Sequence, residues 1–257
     1  MSILRQKRNT SSYHKLEGTL DSRKIFILLS RAASLKYFVT SLLFLFSFVI
    51  LNAQQSEADF KKILRDRSVK IVNTLGITDS GKYNKIVEIL TSQYFNLNKI
   101  HDKTKESIAA IMLLQLSNEE KVSCTKKEEE KKATQLSELH KGFITQLQAS
   151  LNDDQVDMIK DGMTYRVLPV TYTAYSEMIP SLTPEQKGKI LNWLKEAREL
   201  AMDEGSSEDK HKVFGKFKGR INNYLSAEGI DMKKEEKAWQ QRLKEKKQKE
   251  SAQKNAQ

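Results

Sequence analysis

From Ser56 onward the apolar residues recur at three- and four-residue spacing, interrupted only by Pro169, Pro180 and Pro184. That period lines one face of a helix, where a strand would alternate. The expected fold is therefore all-α: a single-domain helical bundle of about six to seven helices. Three of the starts share one pattern. Leu116-Ser-Asn-Glu-Glu120, Leu151-Asn-Asp-Asp-Gln155 and Leu182-Thr-Pro-Glu-Gln186 each read leucine, a short polar cap, two residues, then Glu or Gln. This is a capping box, in which the cap oxygen takes the amide three residues on and the Glu or Gln reaches back. Pro184 falls at the first helical position, where its missing N–H costs nothing.

The periodicity predicts helices over Ser56–Leu75, Asp79–Leu116, Asn118–Ser150, Asp153–Gly162, Pro184–Glu204 and Ser206–Ala227, with Gly76 ending the first. Phe60, Ile63, Leu64 and Ile71 or Val72 are expected inward in the first helix. A lysine-rich seventh helix follows Gly229, able to dock through Met232, Trp239 and Leu243, with the last ten residues disordered. Met163–Ser181 differs: it holds β-branched residues, three tyrosines and two prolines. It reads as one long Tyr/Pro-containing loop with at most a short helix at Thr173–Met178. Long ordered loops on a helical scaffold tend to carry function.

The N-terminus lies outside that pattern. Tyr37–Leu51 is free of charge and follows Arg23, Lys24, Arg31 and Lys36, with Ala53 shortly after. A run of about 15 residues is short for a membrane span, which needs ~20. The expectation is a signal peptide with an extended basic region over 1–53, cleaved before Gln54. That leaves a helical domain at 54–231 and a lysine-rich helix and tail at 232–257. The protein would be periplasmic or secreted, with no membrane contact after cleavage; the alternative is an inner-membrane anchor through 37–51. Cys124 is the only cysteine, so no intramolecular disulfide forms, and its charged surroundings predict exposure.

The net charge of +11 misleads. Residues 1–53 hold eight Lys/Arg against two Asp/Glu, and 232–257 hold nine against four, so 54–231 balances at 27 against 27. A basic excess confined to the termini argues against a nucleic-acid groove. The chain has no HExxH, Gly-rich phosphate loop, GxSxG or CxxC, so no catalytic motif, cofactor or metal site is expected.

Candidate site residues come from composition on helix faces. In the sixth helix Phe214, Phe217, Ile221, Tyr224 and Leu225 form a buried stripe. His211, Lys218 and Asn222 share one flank, and Lys216, Arg220 and Asn223 lie close together. Three cations, a histidine and two amides suit a carboxylate-bearing sugar, with Arg220 binding it bidentately. The competing reading is close helix packing over Gly215 and Gly219 with a solvated basic face. Glu196, Glu199 and Asp203 on the fifth helix are placed for acid–base work or for pairing with those cations. Tyr165, Tyr172 and Tyr175 offer stacking or proton donation, or simple packing.

The strings QVDMIKDGMTY (155–165), PVTYTAY (169–175), MIPSLTPEQK (178–187) and FGKFKGRINNYLS (214–226) resemble an uncharacterised secreted all-helical family. That family occurs in Gram-negative, polysaccharide-degrading bacteria, is associated with sugar binding, and often lies beside pectin-use genes. The resemblance covers about Ser68–Trp239. It departs at Phe217, where Tyr is expected, and at the charged stretch Cys124–Lys132. The resemblance supplies context rather than mechanism; with it, the residues read as a protein that binds an acidic plant oligosaccharide, with Asp161, Tyr165, Tyr172, Arg198, Glu199, His211, Lys216, Lys218, Arg220, Asn222 and Asn223 as ligand-binding residues. The alternatives are a lyase or hydrolase on uronate-containing glycans and a helical periplasmic chaperone or structural protein, the last echoed by the Leu-cap-Gln starts.

Overall fold

The helix signals resolve into eight helices among the described residues, which in this computed structural model are 57–255. The expected signal segment and its cleavage point lie outside them. Helix α1 spans 57–72 and tightens into a 3-10 turn at Asn73–Leu75. Gly76 then takes φ +65°, a left-handed conformation that favours glycine. Helix α2 (Ser80–Leu113) and α3 (Asn118–Gln148) form a long antiparallel hairpin. Helices α4 (Asp153–Met163), α5 (Val167–Met178), α6 (Pro184–Met202), α7 (Ser207–Ala227) and α8 (Met232–Asn255) follow.

The caps form where the sequence puts them, with one variation. Ser117 and Glu120 make both halves of a capping box, at 3.2 and 2.9 Å. Thr183 and Gln186 do the same at 3.2 and 3.0 Å, with Pro184 first in α6. Asn152 accepts from the Gln155 amide at 2.8 Å, but the Gln155 side chain donates to the Leu75 carbonyl at 3.2 Å. Half of that box is spent on tying α4 to the end of α1.

Several expectations need correction. The stretch expected to be a long loop is mostly helix α5. Pro169 is tolerated as its third residue, because first-turn amides have no acceptor within the helix. Leu168, Thr171 and Tyr175 bury one face, and that packing overrides the weak helix propensity of the segment. Ile63 is 61% exposed, because the inward stripe runs through Leu64, Ser68, Ile71 and Val72. Cys124 is half-buried on α3. The C-terminal residues continue as helix to Asn255, as their Lys, Glu, Gln and Ala content favours.

Two apolar clusters hold the fold. Val72, Ile86, Leu90, Phe143, Leu147 and Ile159 centre the first, between α1, the near halves of α2 and α3, and α4. Ile179, Ile190, Leu194, Phe214, Ile221 and Leu225 centre the second, among α5, α6 and α7. A Cβ on Gly162 would lie 2.7 Å from Ile71 Cγ2, so α1 and α4 touch there with no room to spare.

Candidate functional site

Asp157, Lys160 and Asp161 share one face of α4 through their three- and four-residue spacing. Opposite stands Arg198 of α6, 3% exposed. Its Nη1 donates to Asp161 Oδ1 at 2.8 Å and its Nη2 to Asp157 Oδ1 at 2.6 Å. Burial opposes the Arg198 charge, and hydrogen bonds and attraction from Asp161 and Asp157 outweigh it, so the guanidinium pKa is raised. Lys160 reaches Glu199 at 2.8 Å. His140 of α3 sits between Asp203, at 2.7 Å, and Glu199, at 3.6 Å. The Asp203 hydrogen bond raises the His140 pKa against the opposing pull of burial. His101 of α2 donates to the Asp203 carbonyl at 2.8 Å. Arg198 and Glu199, expected to face a ligand, instead belong to an internal ionic network joining α3, α4 and α6. The cations expected to pair with Glu199 and Asp203 were those of α7; the partners are Lys160, Arg198 and His140.

The turn after α4 is unusual. Tyr165 and Arg166 both take left-handed backbone, at φ 57° and 58°. Such a conformation costs a non-glycine residue ~1–2 kcal/mol. The turn is held by the Arg166 amide donating to the Asp161 carbonyl at 2.7 Å and by Thr164 Oγ1 donating to the Lys160 carbonyl at 2.8 Å. The Arg166 carbonyl then accepts from Val170 to begin α5. The result projects the Tyr165 ring outward, 47% exposed, stacked on His211 with centroids 5.9 Å apart. His211 Nδ1 lies 2.7 Å from the Ser207 carbonyl, so it carries the proton. In the neutral ring Nε2 then holds the lone pair.

Two open cavities adjoin this turn and a third lies beyond them along α5. The first, about 390 Å³, lies between α1 and the turn and includes Lys70, Thr74, Asp161, Tyr165 and Arg166. The second, about 480 Å³, is bounded by Arg166, Thr173, Glu177 and Trp239. The third, about 550 Å³, is bounded by Tyr175, Lys218, Asn222, Met232, Glu236 and Trp239. Arg166 borders the first and second; Val170, Ala174 and Trp239 border the second and third. In the third, Tyr175 donates to Asn222 Oδ1 at 2.6 Å, and burial pushes the phenol pKa up to about 12. That bond fixes the Asn222 amide with its nitrogen still available as a donor.

Of the expected site residues, Asp161 and Tyr165 border the first cavity, with His211 against Tyr165, and Lys218 and Asn222 border the third. Others lie apart. Arg220 lies over the Trp193 ring at 4.7 Å and 3.6 Å from Glu196. Lys216 and Asn223 are exposed on α7, and Tyr172 is half-buried against the second core cluster. The close packing expected over Gly215 and Gly219 does not occur, since a Cβ on either would meet nothing within 4 Å. Sequence reasoning missed Lys70, Arg166 and Trp239. A faint signal existed for Arg166: α4 ends without the Gly or Asn that helix ends favour.

Among the described residues no group of three or more His, Cys, Asp or Glu is placed to hold a metal ion. Nor is any helix among them long and apolar enough to cross a membrane. A comparison with curated proteins finds no match. The sequence model of one family, described as protein of unknown function (DUF3826), matches residues 61–245, which takes in the whole face from Lys70 to Trp239, and the chain belongs to that family.

Proposed function

We propose that this is an exported protein that binds an acidic oligosaccharide on the face running from Lys70 past Arg166 to Trp239 and Asn222. The observation that carries the reading is the left-handed Tyr165–Arg166 pair, which sets an aromatic ring and a guanidinium side by side at the border of open cavities. Strained backbone of this kind clusters at ligand sites. A guanidinium grips a carboxylate bidentately, aromatic rings pack on the C–H faces of a sugar, and amides serve hydroxyls. Export rests on the charge-free run 37–51 after a basic segment, and the resemblance to proteins of polysaccharide-degrading bacteria supports the ligand class. The test is calorimetry of residues 54–257 with oligogalacturonides and, in parallel, neutral cello-oligosaccharides. Heat with the acidic series alone, declining with added salt, is expected. No heat with any acidic oligosaccharide, or equal heat with neutral ones, overturns the reading.

One observation favours a catalytic variant. With Nδ1 turned to the Ser207 carbonyl, a neutral His211 ring has its lone pair on Nε2, and that ring stacks on Tyr165, the residue before Arg166. An arginine neutralising a uronate carboxylate would let these groups move protons in a β-elimination. Ultraviolet absorbance from an unsaturated uronate during the same titrations separates this variant from binding alone.

A further inference from the structure

Val170, Ala174 and Met178 follow one another at four-residue spacing and so form a stripe along α5, and Arg166, the left-handed residue before its first turn, stands at the stripe's start. Twelve residues separate Arg166 from Met178, which at 1.5 Å per residue is ~18 Å. The stripe is open at Val170, which is 65% exposed, and is met by α8 toward Met178, where Arg242 donates to the Glu177 and Met178 carbonyls at 3.0 Å. It serves as the floor that joins the cavities. Arg166 belongs to the first and second, Val170 and Ala174 to the second and third, and Met178 to the third. Trp239 of α8 stands beside both the second and the third. Cationic groups are spaced along the same line, with Lys70 at one end, Arg166 at the first junction and Lys218 at the far end.

Resting on the acidic-glycan reading above, we infer that the ligand is a linear uronic-acid chain of at least three sugar units lying along α5. Its carboxylates are met in turn by Lys70, Arg166 and Lys218. A single sugar has no means of using this arrangement. Each cavity lies within the size range of a separate small-molecule site. One ring fills one of them and leaves at least one cation and an aromatic ring unengaged. A chain that occupies all three gains contacts at each, and the later contacts are made without a second loss of overall translational freedom. The left-handed turn fits this role, because it aims Arg166 at the junction between cavities. The two carboxylates on the line, Glu177 and Glu236, border only the second and third cavities, so the end holding Lys70 and Arg166 is the more cationic. Asp161 borders the first but is engaged by Arg198.

The experiment is calorimetry of wild type, Arg166→Gly and Trp239→Ala with galacturonate and its dimer, trimer and tetramer. For wild type the trimer is expected to bind about tenfold or more tighter than the monomer, with little gain beyond the length the face accommodates. Trp239→Ala should lose most of that length dependence, weakening the trimer more than the monomer. Arg166→Gly should weaken every length, and its melting temperature should hold or rise, because glycine takes φ 58° without strain. This variant therefore separates a binding defect from misfolding. Monomer binding as tightly as trimer overturns the three-unit inference while the acidic-glycan reading stands. Absence of binding at every length by the folded wild type overturns both. Trimer affinity unaffected in Arg166→Gly removes the arginine from the junction and overturns the inference likewise.

Discussion

The α2–α3 hairpin and the α5–α7 unit are both built from amphipathic helices, yet they are held in different ways. Between Thr104 and Phe143 no residue is buried; the hairpin's far half is a seam of half-buried side chains flanked by charge. Leu113 at its tip is 87% exposed. In α5–α7, Ile179, Ile190, Leu194, Ile221 and Leu225 are wholly shielded from solvent. The hairpin persists through caps, helix propensity and pairing of two long helices. The α5–α7 unit persists through packing. Only a region of the second kind has stability in hand to hold two left-handed non-glycine residues, and the Tyr165–Arg166 turn leads directly into it.

The sharpest way to break this comparison is to remove a large side chain from each region. Phe214→Ala, at 1% exposure, should cost ~3–5 kcal/mol through lost burial and a cavity. Leu113→Ala should stay within ~0.5 kcal/mol, as exposed substitutions do. Urea midpoints of the two variants measure this. A large loss at Leu113 would mean that the hairpin tip is covered in solution.

A smaller effect of opposite sign is expected on the outer face of α7. Gly215 and Gly219 lie in open space on a helix interior, so alanine at either should stabilise by ~0.5–1 kcal/mol. Thermal melts of the two variants check this, and destabilisation would show that another surface approaches the helix there.

The smallest effect concerns the joint between hairpin and body, where His140 of α3 meets Asp203 and Glu199. Its folded pKa is raised, chiefly by the Asp203 hydrogen bond. Its contribution is therefore complete below the ordinary value of 6.5 and is lost as pH rises through the raised value. Lys210 acts oppositely. Its ammonium, 5% exposed, donates to the Ala201 and Met202 carbonyls at the end of α6, and burial lowers its pKa to about 8. Keeping it charged costs stability below about 8, and that cost lifts between about 8 and 10.5. Wild-type urea midpoints should thus decline above pH 6.5 and recover above pH 8. His140→Gln should flatten the decline, an effect of about 0.5 kcal/mol for a partly exposed pair, and leave the recovery. An unchanged decline in the variant would assign it to another group.

The physical reason for what was legible is locality. Ser117, Asn152 and Thr183 announce helix starts because a cap and the amide it satisfies lie three residues apart. The Phe214–Ile221–Leu225 stripe is likewise contained in one helix. Helix α5 was hidden because Tyr, Thr, Val and Pro weigh against a helix until Leu168, Thr171 and Tyr175 find a core. The ionic network was hidden for a different reason: His140 and Asp203 are 63 positions apart, and their meeting depends on how four helices pack. Glu199 and Arg198 looked like ligand groups because their true partners, Lys160, Asp157 and Asp161, lie on another helix. Asp161, Tyr165, Lys218 and Asn222 were named from composition, but the cavities they border are linked through Arg166, which the sequence marked only faintly, and Trp239, which it marked only as a docking residue of the last helix.

The hairpin's bare far half also makes it a handle. With only two helices meeting along the seam, its length answers to one requirement, that both sides change together in steps that keep the seam facing inward. Removing about two turns from α2 and the matching stretch from α3 would shorten the hairpin by ~10 Å and leave the body's contacts as they are. The connection at 114–117 is equally a place to fix a label or a surface linker, since none of its residues borders the cavities along α5. The protein could then be held through residues that border none of the cavities along α5.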